Sequence, residues 1–238
     1  DAYLQGRILD ANIIQSSETT HDAIGKFSEV FKQEGVDSES YREMDIRYRS
    51  HFTRFLKSAG YYDLFLISLD GWLVFTVSHE ADFATNLVDG PYRETGLGQV
   101  FRKTLETQEN SLSDFEYYSP SHGAIAAFIA VPIIVEGELR GVLALQIFSE
   151  HVFNVLTNNV GLGQSGETVV IRQQDANSVL VMAPLRADPK AALKRTISLD
   201  EPSFSSAIRN SLQNLPGQGV ITDYQGVSVV AAWRHLPR

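Results

Sequence analysis

The sequence predicts an α+β fold, with long N-terminal helices followed by two consecutive modules that are each built around an antiparallel sheet. Two observations carry this prediction. Apolar residues recur at helical spacing in the first part of the chain, and the period then changes to that of β-strands. The order strand pair, long loop with a helix, strand pair also occurs twice. With 238 residues, 43% of them hydrophobic and 21% charged, the composition is that of a folded globular protein.

The N-terminal part is predicted to form two long helices. The first covers residues 4–31 and is stopped by Gly35, and the second is capped by Asp37 or Ser38 and continues to Ala59. Polar residues interrupt the apolar stripe of the first helix, so we expect a weak dimer seam or a face that packs on the modules, and no strong coiled coil. The stripe consists of Leu4, Ile8, Ala11, Ile24, Phe27 and Phe31.

The first module is predicted to contain a hairpin, a helical crossover and further strands. Asp70 and Gly71 lie between two runs of β-branched and aromatic residues, as is typical of a tight hairpin turn. The last two strands are nearly continuous apolar runs, which indicates central strands covered on both faces. In chain order the elements are strands 62–69 and 72–78, a long connection over 79–94, helix 96–107, and strands 112–118, 124–135 and 140–148.

The second module repeats this order in reduced form. It lacks a counterpart of strand 140–148, so we expect it to be truncated at its last strand. The chain therefore divides into a helical stalk over 1–59, one module over 60–159 and a shortened one over 160–238. The predicted elements are helix 150–159, strands 168–172 and 178–182, helix 202–213, and hairpin strands 219–223 and 227–233.

The composition disfavours several classes of function. A formal charge of -9 repels phosphate backbones and the basic residues do not cluster, so no nucleic-acid partner is expected. The absence of cysteine removes disulfides, Cys-ligated metals and thiol nucleophiles. The chain begins at Asp1 without Met, which indicates an excised fragment, so we expect flanking transmembrane helices in the full-length protein.

Two local patterns resemble functional motifs but have simpler structural interpretations. Residues 161–166 match the dinucleotide-binding pattern G-x-G-x-x-G. In a dinucleotide site a strand precedes the glycines and a helix follows them, whereas here the predicted order is the reverse. We therefore interpret this segment as a helix stop and a hinge between the modules. His79, Glu80 and Asp82 lack a second histidine at metal-ligand spacing and are expected to be solvated loop residues. Without a catalytic constellation, we expect no enzymatic activity, no metal and no cofactor.

Several stretches carry a resemblance to a known family. Residues 61–102, 119–133 and 161–171 are similar in content and order to double Cache sensor domains, also called tandem PDC or PAS-like domains, and residues 223–237 resemble the penultimate strand of that family. These domains are the extracytoplasmic input modules of bacterial membrane receptors. The resemblance implies a membrane-distal and a membrane-proximal PAS-like module behind a helix that rises from the first membrane span.

The resemblance implies signalling without chemistry in this fragment. A small molecule would close the loop and helix of the distal module onto its sheet, shift the membrane-linked segments and bias an output domain. We therefore expect the periplasmic sensing domain of an inner-membrane sensor histidine kinase, with a chemoreceptor or a nucleotide cyclase as alternatives. A soluble α+β enzyme and a partner-binding interaction module are alternatives from other classes.

The distal module is expected to hold the ligand. The connection over 79–94 exceeds the roughly 12 to 15 residues usual for a loop without structure, and its aromatic residues suit a lid over a pocket or packing on the sheet. Small residues at Ala124, Ala126 and Ala130 leave room for a ligand or a helix. The predicted lining is Phe75, Tyr92, Arg93, Tyr117, Tyr118, Ser121, His122 and Phe128.

Two sets of charged residues predict opposite charges on the ligand. Arg93 or His122 would meet an anionic group. Asp114 and Glu116 alternate along a predicted strand and share one face, which either contacts a cationic ligand or, more commonly, faces solvent. The Tyr, Arg, Trp, Tyr and Asp pattern of the amino-acid-binding branch is not found at its spacing, which argues against an amino-acid ligand.

Overall fold

The computed structural model describes residues 2–158, 160–200 and 202–235. It divides into two compact units, Asp1–Ser149 and Glu150–Arg238. The module boundary predicted at residue 159, and the end of the segment 223–237 that resembles a family strand, lie outside the described residues.

The N-terminal segment forms two helices where one was predicted. Helices α1 (Ala2–Gln15) and α2 (Glu18–Glu34) are separated at Ser17, whose hydroxyl accepts a hydrogen bond from Thr20 N at 3.2 Å. The Thr20 hydroxyl in turn donates to the Ile14 carbonyl at 2.7 Å. The single helix over 4–31 was therefore wrong, because Ser and Thr side chains here bond the backbone locally and cap a new helix.

Helix α3 (Glu39–Ala59) follows the predicted capping signals. Gly35 lies at the C-cap of α2 with a φ of 79°, where a side chain would be strained. Ser38 then caps α3 by accepting from Tyr41 N at 3.1 Å, and Gly60 ends the helix in the left-handed region. The predicted second helix is confirmed.

The first unit contains one antiparallel sheet of six strands, in the order β2-β1-β6-β5-β3, with β4 also paired to β5. The long apolar strands are central, as predicted. The predicted strand 112–118 is instead two short strands. The elements are β1 (Asp63–Ile67), β2 (Leu73–Thr76), α4 (Gly96–Thr107), β3 (Ser111–Leu112), β4 (Glu116–Tyr118), β5 (Ala124–Val135) and β6 (Glu138–Phe148).

The two faces of this sheet are covered by different layers. On the helix face, the ring of Phe75 lies 4.9 Å from that of Phe27 in α2 and 5.3 Å from that of Phe52 in α3. Leu66, the direct partner of Phe75 across β1 and β2, shares this face. Because side chains alternate along a strand, Phe65 points to the opposite lid face, which α4 and the connection after β2 cover.

The second unit has smaller sheets. Strands β7 (Ile171–Gln173), β8 (Ser178–Val181) and β9 (Thr196–Ser198) form one antiparallel sheet, and β10 (Gly217–Thr222) pairs with β11 (Ser228–Trp233) in a separate hairpin. Helices α5 (Ser149–Leu156) and α6 (Pro202–Leu212) complete the described elements. Strand β9 was not predicted. Residues 161–166 form turns between α5 and β7, so they lack the strand-turn-helix context of a dinucleotide site.

Candidate ligand-binding site

The lid loop, residues 77–95, is bonded along the outer edge of β2. Leu73 N donates to Thr85 O at 3.0 Å, and Ala84 N donates to Leu73 O at 3.2 Å. The buried Asn86 donates from Nδ2 to a carbonyl of the β1–β2 turn at 2.9 Å. The loop is therefore an ordered cover of the sheet, held by main-chain bonds at its middle.

Helix α4 lies over the lid face and is tied to the lid loop. Arg102 donates from Nη1 to the carbonyl of Leu87, at 3.1 Å, and to that of Arg93. At the other end of α4, Gly96 N donates to Glu116 Oε1 at 2.7 Å, where a carboxylate stabilises the helix N-terminus. Helix and loop thus form one cover, whose buried helix side chains are Leu97, Val100, Phe101 and Thr104.

Aromatic rings fill one part of the space under this cover. The ring of Tyr118 lies 4.8 Å from that of Phe128 and 6.4 Å from that of Tyr92. Phe65 packs on Phe128 at 6.1 Å. The small residues of β5 leave room that α4 occupies, so the helix alternative of the sequence prediction is the one observed for Ala126.

Three carboxylates occupy the other part; we call Asp63, Glu80 and Asp82 the carboxylate cluster. Tyr118 Oη donates to Asp82 Oδ2 at 2.6 Å, and Ser121 Oγ donates to Glu80 Oε2 at 2.7 Å. Tyr62 also donates to Glu80. These bonds tie the lid loop to the residue before β1, to β4 and to the segment after β4.

Asp63 is the most deeply placed acid of the cluster. It is fully buried, and its Oδ1 accepts from the main-chain N–H groups of Leu64, Val77 and Ser78 at 2.7, 2.9 and 3.1 Å. Burial raises the pKa of Asp63 to about 7, although the three N–H groups oppose the shift and the charge of Asp82 adds to it. Asp63 thereby holds the first residues of the lid loop against β1.

Asp82 and Tyr118 are also removed from water. Burial raises the pKa of Asp82, which the Tyr118 hydrogen bond lowers and the neighbouring Glu80 charge raises further. The pKa of Tyr118 is raised, first by burial and then by Asp82. Tyr118 therefore keeps its proton at physiological pH and donates a hydrogen bond to Asp82.

Several acceptors of this network have no hydrogen-bond donor from the protein. They are Asp63 Oδ2, Asp82 Oδ1 and Gln146 Oε1. Gln146 lies directly opposite Asp63 across β1 and β6, and its Nε2 donates to Ser121 Oγ at 2.9 Å. Across residues 2–158, 160–200 and 202–235, no Lys, Arg or His forms an ion pair with the carboxylate cluster.

No family model and no curated protein matches the sequence. The structure is similar to the extracellular domain of the putative histidine kinase mmHK1S-Z2, with a TM-score of 0.50, 12% identity, and coverage of 98% of this chain and 92% of that chain. The chain has the fold of a double Cache sensor domain.

Chemoreceptor domains share this double Cache fold. The ligand-binding domain of Pseudomonas fluorescens CtaA, in complex with L-serine, has a TM-score of 0.50 and 12% identity over 94% of this chain and 78% of that chain. The ligand-binding domain of the Pseudomonas aeruginosa PAO1 amino acid chemoreceptor PctB, in complex with L-Arg, has a TM-score of 0.53 and 15% identity, with coverage of 95% of this chain and 78% of that chain. The predicted fold class is confirmed.

The double Cache fold brings part of the predicted lining together. Tyr92, Tyr118 and Phe128 form the aromatic layer, and Ser121 is buried in the polar network. Phe75 lies on the other side of the sheet, because a register shift between β1 and β2 turns it to the helix face, where it packs on Phe27 and Phe52; its assignment to the pocket was wrong.

The remaining predicted residues lie at the surface of the first unit. Arg93 pairs with Glu94 at 3.1 Å with 56% of its side chain exposed. Tyr117 is 47% exposed, and His122 is exposed at a turn with a φ of 54°. Arg93 and His122 therefore do not present a buried positive charge to an anionic ligand.

Sequence reasoning missed the carboxylate cluster. Glu80 and Asp82 were expected to be solvated, yet Asp82 is fully buried and Glu80 is half-buried. Asp63 and Gln146 were not considered, although each is a polar residue inside an apolar strand run. A lone acid or amide in such a run is the signal that would have found them, because burial of an unpaired polar group is costly.

Metal ligation and membrane crossing have no candidates in the described part of the chain. Within the described ranges, no group of three or more His, Cys, Asp or Glu side chains could hold a metal ion. No described helix combines the length and the apolar character needed to cross a membrane.

Proposed function

We propose that this chain is the extracytoplasmic small-molecule sensing domain of a bacterial transmembrane receptor, and that the receptor is a sensor histidine kinase. The observation that carries the proposal is the ordered cover of lid loop and α4 above a buried polar network with acceptors that lack donors. A network of this kind is costly unless a ligand or bound water completes it. The double Cache neighbours CtaA and PctB bind amino acids, which supports small-molecule binding in this fold.

The connection between lid loop and α3 supports a signalling role. Arg49 of α3 donates to the carbonyls of Thr76, at 3.1 Å, and Val77, and it pairs with Asp45 on its own helix. Asp63 binds the N–H of the same Val77. A ligand that moves the start of the lid loop would therefore also displace α3, the longest helix of the first unit, through the hydrogen bonds of Arg49.

A ligand screen by thermal unfolding tests the proposal. A compound that binds the folded chain raises its unfolding midpoint with concentration, by RT ln(1 + [L]/Kd) in free energy. We expect a specific stabiliser among amines, carboxylates, amino acids and purines, and no turnover of it. Turnover would favour the soluble-enzyme alternative. If no compound raises the unfolding midpoint and the chain captures a defined protein partner, the interaction-module alternative would be favoured.

The receptor type is tested on the full-length protein. We expect membrane segments flanking this chain and a kinase domain on the cytoplasmic side, so that the stabiliser changes the rate of autophosphorylation. A methyl-accepting or cyclase output domain would instead identify one of the alternative receptors. A full-length protein without membrane segments would contradict the proposal.

A further inference from the structure

We propose that the side chains of His79 and Arg49 form a tie between α3 and the start of the lid loop, which holds at neutral pH and is released by acid. This goes beyond the proposed sensing function, because it makes the proton a second input at a place outside the space under the cover. It is carried by the contacts of His79, which ligand sensing does not use.

His79 lies where the lid loop leaves β2, and its ring is fixed in place. Its main-chain N donates to Thr76 Oγ1 at 2.9 Å, and the residue has a φ of 51°. The ring stacks on that of Phe83, with the centroids 4.1 Å apart. A ring held by its own main chain and by stacking moves little, so a change of its charge acts on its neighbours.

The guanidinium of Arg49 contacts the edge of this ring. Arg49 Nη2 lies 2.7 Å from His79 Nε2. Because a guanidinium only donates hydrogen bonds, Nε2 accepts, and the ring is neutral with its proton on Nδ1. The same guanidinium donates to the carbonyls of Thr76 and Val77. The neutral ring therefore helps to orient the group that joins α3 to the end of β2.

A proton on His79 reverses this contact. Nε2 then becomes a donor that faces a donor, and two positive charges lie at hydrogen-bond distance. The protonated ring also attracts Asp45, whose Oδ1 lies 3.9 Å from His79 Nε2 and pairs with Arg49 Nη2. Acid therefore repels Arg49 and competes for the carboxylate that orients it.

The charges around His79 set the direction of the response. Arg49 and Asp45 face it from α3, the lid loop contributes the uncharged ring of Phe83, and the adjacent Glu80 is bonded to two hydroxyl groups. Burial and then the Arg49 charge lower the pKa of His79 below its ordinary value, and Asp45 opposes the shift. The tied state thus favours the neutral ring, so the tie holds above this pKa and is lost as the pH falls through it.

Asp63 titrates on the opposite side of the same segment. Its Oδ1 accepts from the N–H groups of Val77 and Ser78, and its pKa is raised to about 7. Uptake of a proton by Asp63 therefore stabilises the folded segment, which is opposite to the effect at His79. For this reason the experiment measures Arg49 itself and not the order of the whole segment.

NMR of the chain between about pH 8 and about pH 5 measures the tie through the guanidinium N–H groups of Arg49. Their rate of exchange with water is divided by that of Arg47, a mostly exposed arginine of the same helix, at each pH. We expect this ratio to rise about fivefold as His79 takes up its proton. A ratio that stays constant over this range would overturn the proposal.

His79→Gln is the decisive variant, because its amide oxygen can accept from Arg49 but does not titrate. The ratio should then keep its neutral-pH value in acid. His122→Gln, at an exposed histidine after β4, is the matched control and should retain the rise. A rise that survives His79→Gln would assign the titration to another group and refute the tie.

The imidazole signals of His79 in the unchanged chain give a second measurement that needs no variant of this residue. We expect a titration midpoint below the ordinary 6.5, and an upward shift of this midpoint in Arg49→Gln, which removes the neighbouring positive charge. Arg47→Gln should leave the midpoint unchanged. A midpoint at or above 6.5 in the unchanged chain would contradict the contact with Arg49.

Asp63→Asn separates the two titrations at this segment. The rise in the Arg49 ratio should persist, because Asp63 binds main-chain N–H groups on the other side. Asp89→Asn, at an exposed acid of the same lid loop, is the control and should also retain it. Loss of the rise in Asp63→Asn alone would place the switch at Asp63. No ligand is used, so the tie can fail while the sensing function stands, and the reverse also holds.

Discussion

The two faces of the sheet in the first unit bury different chemistry. The helix face is closed by aromatic packing of Phe27, Phe52 and Phe75, and the Tyr41 hydroxyl of α3 donates to Val74 O at 2.9 Å. The lid face has an apolar core around Phe65, Phe101 and Phe128 as well, but it also buries Asp63 and Asp82 fully, beside acceptors without donors. Apolar burial stabilises the fold, whereas unpaired buried charge opposes it. Both faces are therefore stabilised by apolar packing, and only the lid face also retains buried polar groups that suit a ligand.

The largest expected effect comes from the helix face. Phe27→Ala removes a fully buried ring that touches Tyr41, Tyr48 and Phe75, and should lower the free energy of unfolding by about 3 to 5 kcal/mol. Urea titration measures the loss. Ile46→Ala, at a position 78% exposed on α3, is the control and should stay within about 0.5 kcal/mol. A loss below about 1 kcal/mol for Phe27→Ala would mean that aromatic packing on this face contributes little to stability.

The next effect is a pH dependence of stability that arises on the lid face. Asp63 keeps its proton up to about pH 7 in the folded chain, while the unfolded chain releases it near 3.8, so the folded state binds more protons between these values. The stability of the ligand-free chain should therefore fall as pH rises from about 4 to 7, by at most about 1.4 kcal/mol per pH unit from this group.

Urea titrations at several pH values measure this slope. Asp63→Asn should flatten it, because the amide does not titrate, and Asp89→Asn should not. A slope that survives Asp63→Asn would assign the titration to Asp82, whose pKa is also raised.

A smaller effect is expected where the two faces are linked. Arg49→Lys keeps the positive charge but loses the fork that reaches Asp45 and the carbonyls of Thr76 and Val77. We expect a loss of about 1 kcal/mol in stability and faster hydrogen exchange at the start of the lid loop. Arg47→Lys, on the same helix with 65% of its side chain exposed, is the control. Unchanged exchange in Arg49→Lys would remove α3 from the signalling route.

The elements of the fold could largely be predicted from local signals, because caps and periodicity act over a few residues. Helix α4 was predicted residue for residue, and Ser38 and Gly60 bound α3 as expected. The break at Ser17 was missed because hydroxyl bonds to the backbone compete with an otherwise continuous helical pattern. Strand β9 was missed because three residues carry too little pattern.

The site was predicted less well, because faces depend on long-range pairing. Alternation would place Phe75 with Leu73, but the pairing of β1 and β2 shifts register between Leu66 and Ile67, so Leu73 joins the lid-face core while Phe75 meets α2 and α3. The burial of Asp82 follows from its bond to Tyr118, 36 residues away along the chain. No local pattern contains either fact.

The smallest effect on stability is expected at the outer side of the helices. The predicted stripe packs within the chain at Ala11, Ile24 and Phe27, which are fully buried and thus unavailable as a dimer seam. Leu9 and Ile13 lie one helical turn apart on α1 and are 59% and 58% exposed, so a weak homodimer through the N-terminal helix would use them instead. Leu9→Asp should change the free energy of unfolding by less than about 0.5 kcal/mol but abolish self-association in sedimentation at high micromolar concentration. Gln5→Asp, at an exposed position on the same helix, is the control and should not change self-association. A dimer that persists in Leu9→Asp, or one that is tight at nanomolar concentration, would contradict a weak dimer through these residues.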